Sequence, residues 1–155
     1  MPFSKCFKDN MEALGLPAPT TLFGSVSAAV ATISAISKAV STYGTKVTIE
    51  EIVAAGILEG SVAAGLGEIL GAVGGVLASF YLGCCVGSLL ACTIDKIFFS
   101  DIRQSPVPRA TATLFLSHKH IYLSEAMWDV MLDNDEMLGV RPDDDYEPNT
   151  YYAYA

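Results

Sequence analysis

Apolar residues recur at helical spacing through the first half of the chain, where Leu22, Val26, Val30, Ile33, Ile36 and Val40 form one stripe and predict a helix over residues 20–43. Pro17 and Pro19 precede it, Thr20 or Thr21 is placed to cap it, and Gly44 ends it. The other face is unusual. Thr20, Ser27, Ser34 and Ser41 recur every seven residues, joined by Ser25, Thr32 and Ser37, so this side is hydroxyl-rich and uncharged until Lys38. A helix face that meets bulk water normally carries Lys and Glu. Thr48 with Glu51 three residues later is a capping box and predicts a second helix over 49–66. A third is expected over 69–97, because the 26 residues from Ile69 to Ile94 contain no charge. At about 1.5 Å per residue that run makes roughly 39 Å of helix, against a bilayer hydrocarbon thickness of roughly 30 Å. Gly65, Gly67, Gly74 and Gly75 offer hinge points at which the second and third helices fold into a hairpin.

Beyond Asp95 and Lys96 the texture changes. Pro106 and Pro108 mark a linker, and the alternation from Thr111 to Leu123 predicts two short strands about a turn at Ser117–His120. Ser124 then caps a short acidic helix containing Met127, Trp128, Met131 and Leu132, stopped near Gly139. The end, RPDDDYEPNTYYAYA, reads as a mobile arm. The expected fold is therefore mainly α: a helical bundle with a glycine-rich hydrophobic helical hairpin, plus a small α+β or irregular acidic C-terminal part. It divides into an N-terminal segment 1–19, a hydrophobic, membrane-active helical region 20–104 and an acidic region 105–155.

Composition sharpens this picture. Of 155 residues 52% are hydrophobic and 17% charged, yet only six charged side chains fall between Ala13 and Ile94. Residues 1–119 carry eight basic and eight acidic groups, so the net charge of -8 lies in the last quarter. Without a basic cluster the chain lacks the cations that nucleic-acid binding needs to displace counterions from phosphates. Three of the four cysteines, Cys84, Cys85 and Cys92, sit in the most apolar stretch, where thiols act as small hydrophobes, so with Cys6 they are expected to stay reduced. The first fifteen residues hold no apolar run or cleavage site of a signal peptide, which predicts export, if any, by a route without one.

The most specific signal is a row of small residues spaced by four: Ala63, Gly67, Gly71, Gly75, Ser79, Gly83, Gly87 and Ala91, with Gly56, Gly60 and Ala64 as a shorter second row. On a helix such residues lie nearly above one another and leave a groove for another backbone, which in lipid is a main source of helix association. Glu59 and Glu68 are the acids inside this region. A carboxylate at mid-bilayer costs about 2.5 to 3.5 kcal/mol and tends to face a water-filled path. Together with Ser27 and Ser34 they are candidate pore-lining residues, and negative charge there favours cations. Nine residues apart, the two acids cannot both face one lumen from a single helix. His118 and His120 beside Glu125 read as surface residues, with no cysteine pair at zinc spacing. No metal, cofactor or enzymatic site is expected, since hydrolase, phosphate-loop and dinucleotide motifs are missing.

A small chain without a signal peptide, with soluble ends around a glycine-zipper hairpin at Gly56–Ile94, resembles the small pore-forming antibacterial effectors of the type VI secretion system. The resemblance implies synthesis in the cytoplasm, carriage by the secretion tube protein, self-assembly in target membrane lipid, neutralisation by a cognate immunity protein and permeabilisation of a target cell's inner membrane. No catalytic residues carry over. Two other readings fit the same residues: a resident inner-membrane immunity or anchor protein, and a soluble helical interaction domain.

Overall fold

The amphipathic stretches of the chain fold around one helix that has no polar face. The computed structural model describes residues 2–58, 60–93, 107–134 and 138–143. Their elements are α1 (Phe3–Ala13), α2 (Thr20–Phe23), α3 (Val26–Tyr43), α4 (Ile49–Ala55), α5 (Gly60–Glu68), α6 (Leu70–Val73), α7 (Ala78–Thr93), β1 (Val107–Pro108), α8 (Arg109–His118), α9 (Glu125–Asp133) and β2 (Val140–Arg141). The protein is mainly helical, as the sequence predicts. The C-terminal arm from residue 144 lies outside the described residues, as does Glu59.

Each of the three long helices expected from periodicity is instead broken, and each break has a local cause. The first divides at Gly24, because the Ser25 side chain accepts a hydrogen bond from the Ala28 amide and starts α3 afresh. Buried Thr32 then donates to the Leu22 carbonyl at 3.0 Å and binds α2 back onto α3. The second ends at Gly56, whose φ of 71° is the left-handed conformation that glycine adopts at a helix C-terminus. Its start is as expected: Thr48 and Glu51 form the complete capping box. The third breaks at Gly74–Leu77, where the chain pairs with the segment before α4. Ile49 donates to the Val76 carbonyl at 3.0 Å and Ala78 to that of Val47 at 2.8 Å. Two helix starts are thereby pinned together.

The N-terminal segment 1–19, to which the sequence assigns no element, contains α1, with Phe7 and Met11 buried and the pairs Lys5–Asp9 and Lys8–Glu12 on its exposed side. Burial of Phe7 and Met11 contributes about 3–6 kcal/mol on transfer values. Phe7 stacks on Phe23 with ring centroids 4.6 Å apart.

The two strands expected over Thr111–Leu123 are absent, and α8 takes their place. Ala112 and Leu116, four apart, are buried while Leu114 is 62% exposed, so the period is helical and the alternation misleads. The hydroxyls that suggested a strand are absorbed locally, Thr113 donating to the Arg109 carbonyl and Ser117 to that of Leu114. His120, at φ 59°, closes the helix, with Ile121 donating to the Leu116 carbonyl. The helix capped by Ser124 is present as α9. The only strand pairing between named strands among the described residues is the parallel contact of β1 with β2, Val107 opposite Val140, crossed over by α8 and α9.

Candidate functional site

Helix α7 is the centre of the molecule. Its sixteen residues carry no charge, and thirteen of them are buried, on every side of the cylinder. A helix that is apolar all round must be covered by protein or by lipid, and here α1, α3 and α9 cover it. Its few polar groups are satisfied by neighbours: Asn10 donates to Ser88 Oγ at 2.8 Å, Ser79 donates to the Thr45 carbonyl at 2.8 Å, and Tyr81 donates to the Pro17 carbonyl at 2.9 Å.

The small-residue row does not form one continuous face. It runs over α5, α6, the turn before α7, and α7 itself, and these parts have different surroundings. Gly67, Gly71 and Gly75 are exposed, with nothing within 4 Å of where a Cβ would stand. Gly83 and Gly87 are buried and already used. A Cβ on Gly83 would lie 2.7 Å from Leu138 Cδ1, and one on Gly87 would overlap the Leu138 carbonyl oxygen. The close backbone approach expected of the row therefore occurs, but within one chain, between α7 and the segment entering β2. Ser79 is buried, while Ala63 and Ala91 are half-buried. Gly56 and Gly60 are exposed, and both have positive φ, so they end and begin helices instead of stacking along one.

Comparison of the chain with protein-family models, curated proteins and solved structures gave no match.

Among the described residues, the candidate pore-lining Glu68, Ser27 and Ser34 do not converge. Glu68 is exposed at the end of α5, Ser27 is exposed on α3, and Ser34 is half-buried. Ser34 and Lys38 border two adjoining grooves along α3. One, of about 480 Å³, is walled by Tyr43 and Ile57; the other, of about 240 Å³, by His120 and Tyr122. The hydroxyl face of α3 is thus partly an open groove and partly, at Thr32 and Ser37, buried. His118 and His120 are exposed, and Glu125 receives a hydrogen bond from Arg109 at 2.7 Å. Among the described residues no group of His, Cys, Asp and Glu is arranged to hold a metal ion.

Cys6 and Cys92, 86 residues apart, form a disulfide with their Cα atoms 5.8 Å apart. The expectation that all four cysteines stay reduced is corrected for this pair, which only the docking of α1 against the last turn of α7 brings together. Cys84 and Cys85 are free and buried, as expected. In the native protein these two thiols are expected to react at least roughly 100-fold more slowly with a water-soluble aromatic disulfide than in denaturant. Rapid labelling of either under native conditions would contradict the enclosure of α7.

Proposed function

We propose that the chain is a latent pore former, in which the fold described here is the closed form and the uncharged run from Ile69 to Ile94 is the part that enters a bilayer. The observation that carries this reading is α7: an uncharged helix sheathed on all sides by amphipathic helices, an arrangement that exchanges protein cover for lipid cover at little cost in apolar exposure. No helix among the described residues is long and apolar enough to cross a membrane. At sixteen residues α7 measures about 24 Å. Entry therefore requires the bend at Gly74–Leu77 to straighten, so that α6 extends α7 to bilayer length. The exposed Gly67, Gly71 and Gly75 then supply the face on which protomers pack, and Glu68, at the edge of the run, the charged group at the mouth of the path. In this reading the secretion tube protein carries the chain, an immunity protein protects the producer, and the target cell's inner membrane is the site of action.

In planar bilayers the purified chain is expected to give discrete conductance steps with a reversal potential on the cation side, and Glu68→Gln to reduce that preference. Gly71→Val or Gly75→Val is expected to abolish the steps. Silent bilayers, or unchanged conductance in the valine variants, would sink the reading.

A second reading is a helical interaction domain with no membrane role. Two observations favour it: Leu138 already fills the groove at Gly83 and Gly87, and the α3 groove is open with exposed Tyr43, Ile57 and Tyr122 at its edges.

A further inference from the structure

We propose that the Cys6–Cys92 bond is a redox latch on the buried helix: oxidised, it fastens α1 over α7, and reduced, it lets α1 lift and bare a flank of α7 to lipid. The last step rests on the pore-forming reading; the latch itself does not.

Cys92 is in the final turn of α7 and 2% exposed, whereas Cys6 is half-buried at the end of the first turn of α1. The bridge therefore joins the mobile candidate, a short surface helix, to the fixed one, the central helix. At 11 residues α1 is too short to keep helical form alone, so its structure depends on being held in place. Besides the sulfurs, its side-chain hold is buried Phe7 and Met11, half-buried Phe3 and the Asn10–Ser88 hydrogen bond, while Lys5, Lys8, Asp9 and Glu12 point away from the core. Lifting α1 uncovers the flank of α7 around Ser88 and Cys92. That flank otherwise offers lipid an uncharged surface. The two remaining cysteines cannot substitute in the latch, because Cys84 and Cys85 are enclosed in α7 and unpaired.

Opening is a two-electron exchange. A protein dithiol, or two small-molecule thiols, attack the disulfide; the Sγ–Sγ bond breaks, two electrons and two protons pass to Cys6 and Cys92 as thiols, and the reductant leaves as its own disulfide. A dithiol reductant unlatches the chain and an oxidant closes it again.

The test compares three full-length proteins: oxidised wild type, wild type reduced by a phosphine, and Cys6→Ser with Cys92→Ala. Each is followed by hydrogen exchange of the α1 and α3 amides and by potassium efflux from vesicles of phosphatidylethanolamine and phosphatidylglycerol. In both unlatched proteins exchange in α1 is expected to run on the order of 100-fold or more faster than the global unfolding that limits the amides of α3, and potassium efflux to be confined to those two proteins. An α1 that exchanges no faster than α3 in the unlatched proteins overturns the latch. Faster α1 exchange with efflux from none leaves the latch standing and overturns the pore-forming reading. Equal efflux from all three overturns the gating of α7 by the bond. The reduced wild type serves as the second arm if the double variant folds poorly, because its sequence is unchanged.

Discussion

Removing the disulfide by Cys6→Ser with Cys92→Ala is expected to lower the unfolding free energy by about 4–5 kcal/mol. The bond closes a loop of 86 residues, which takes in α1 to α7, and in the chain-entropy account the stabilisation grows with the logarithm of that length. A domain of ordinary stability has only about 5–15 kcal/mol in total, so the loss is about a quarter of the whole or more. Native-state contacts contribute little to it. Phe7 and Met11 remain available to pack, and Cys92→Ala leaves no buried polar atom in place of the sulfur. Urea unfolding of the oxidised protein and of the variant gives the difference directly. The slope with denaturant should rise somewhat in the variant, because its unfolded chain is no longer cross-linked and exposes more surface. A loss under about 1 kcal/mol would show that the bridge strains the native fold by nearly as much as it restricts the unfolded chain.

The same bond marks the limit of what the sequence discloses. Helix class is a local property, and two local signals that named specific atoms hold, the Thr48–Glu51 capping box and the Ser124 cap, whereas neither Thr20 nor Thr21 caps the first helix, which begins after Pro19 with no side-chain cap. Signals that depended on extrapolating a period did not. The apolar run from Ile69 to Ile94 contains no residue forbidding a single helix, and its break at Gly74–Leu77 is imposed by hydrogen bonds to residues 47–49, far away in sequence. The alternation across Thr111–Leu123 equally fits a strand until Leu114 is found facing outward and Leu116 inward. For the site, spacing four correctly identified residues that let a backbone approach, at Gly83 and Gly87. It could not name the occupant. That occupant is Leu138, some fifty residues later, delivered by the strand pair Val107–Val140. The pairing of Cys6 with Cys92 is likewise a consequence of helix docking, and no short-range pattern announces it. One available signal was the apolar face of α1, with Phe3, Phe7, Met11 and Leu14 at helical spacing, which foretells a docked helix at the N-terminus and hence a cysteine held against the core.

Gly87→Val is expected to unfold the protein or to cost about 3 kcal/mol or more, whereas Gly71→Ala should leave stability unchanged or raise it by up to about 1 kcal/mol. The contrast comes from what lies opposite each glycine. At Gly87 the obstacle is backbone: the carbonyl oxygen of Leu138 overlaps the Cβ position and its carbonyl carbon lies 3.1 Å away. That backbone is held in turn by the Val107 amide donating to the Gly139 carbonyl at 2.9 Å, and by Gly139 itself at φ 78°, so it cannot retreat without breaking β1 from β2. At Gly83 the nearest atom is the end of the Leu138 side chain, which can turn aside, so Gly83→Ala should cost less than Gly87→Ala. At Gly71, inside α6, there is open space, and alanine there gains helix propensity without a clash. Thermal unfolding of the four single variants measures the series. Equal losses at Gly71 and Gly87 would contradict the division of the row into a part spent on the fold and a part left open. The expected ranking also determines where membrane activity can be probed: a substitution at Gly87 confuses folding with assembly, while one at Gly71 or Gly75 alters only the exposed glycine face and leaves the closed form intact.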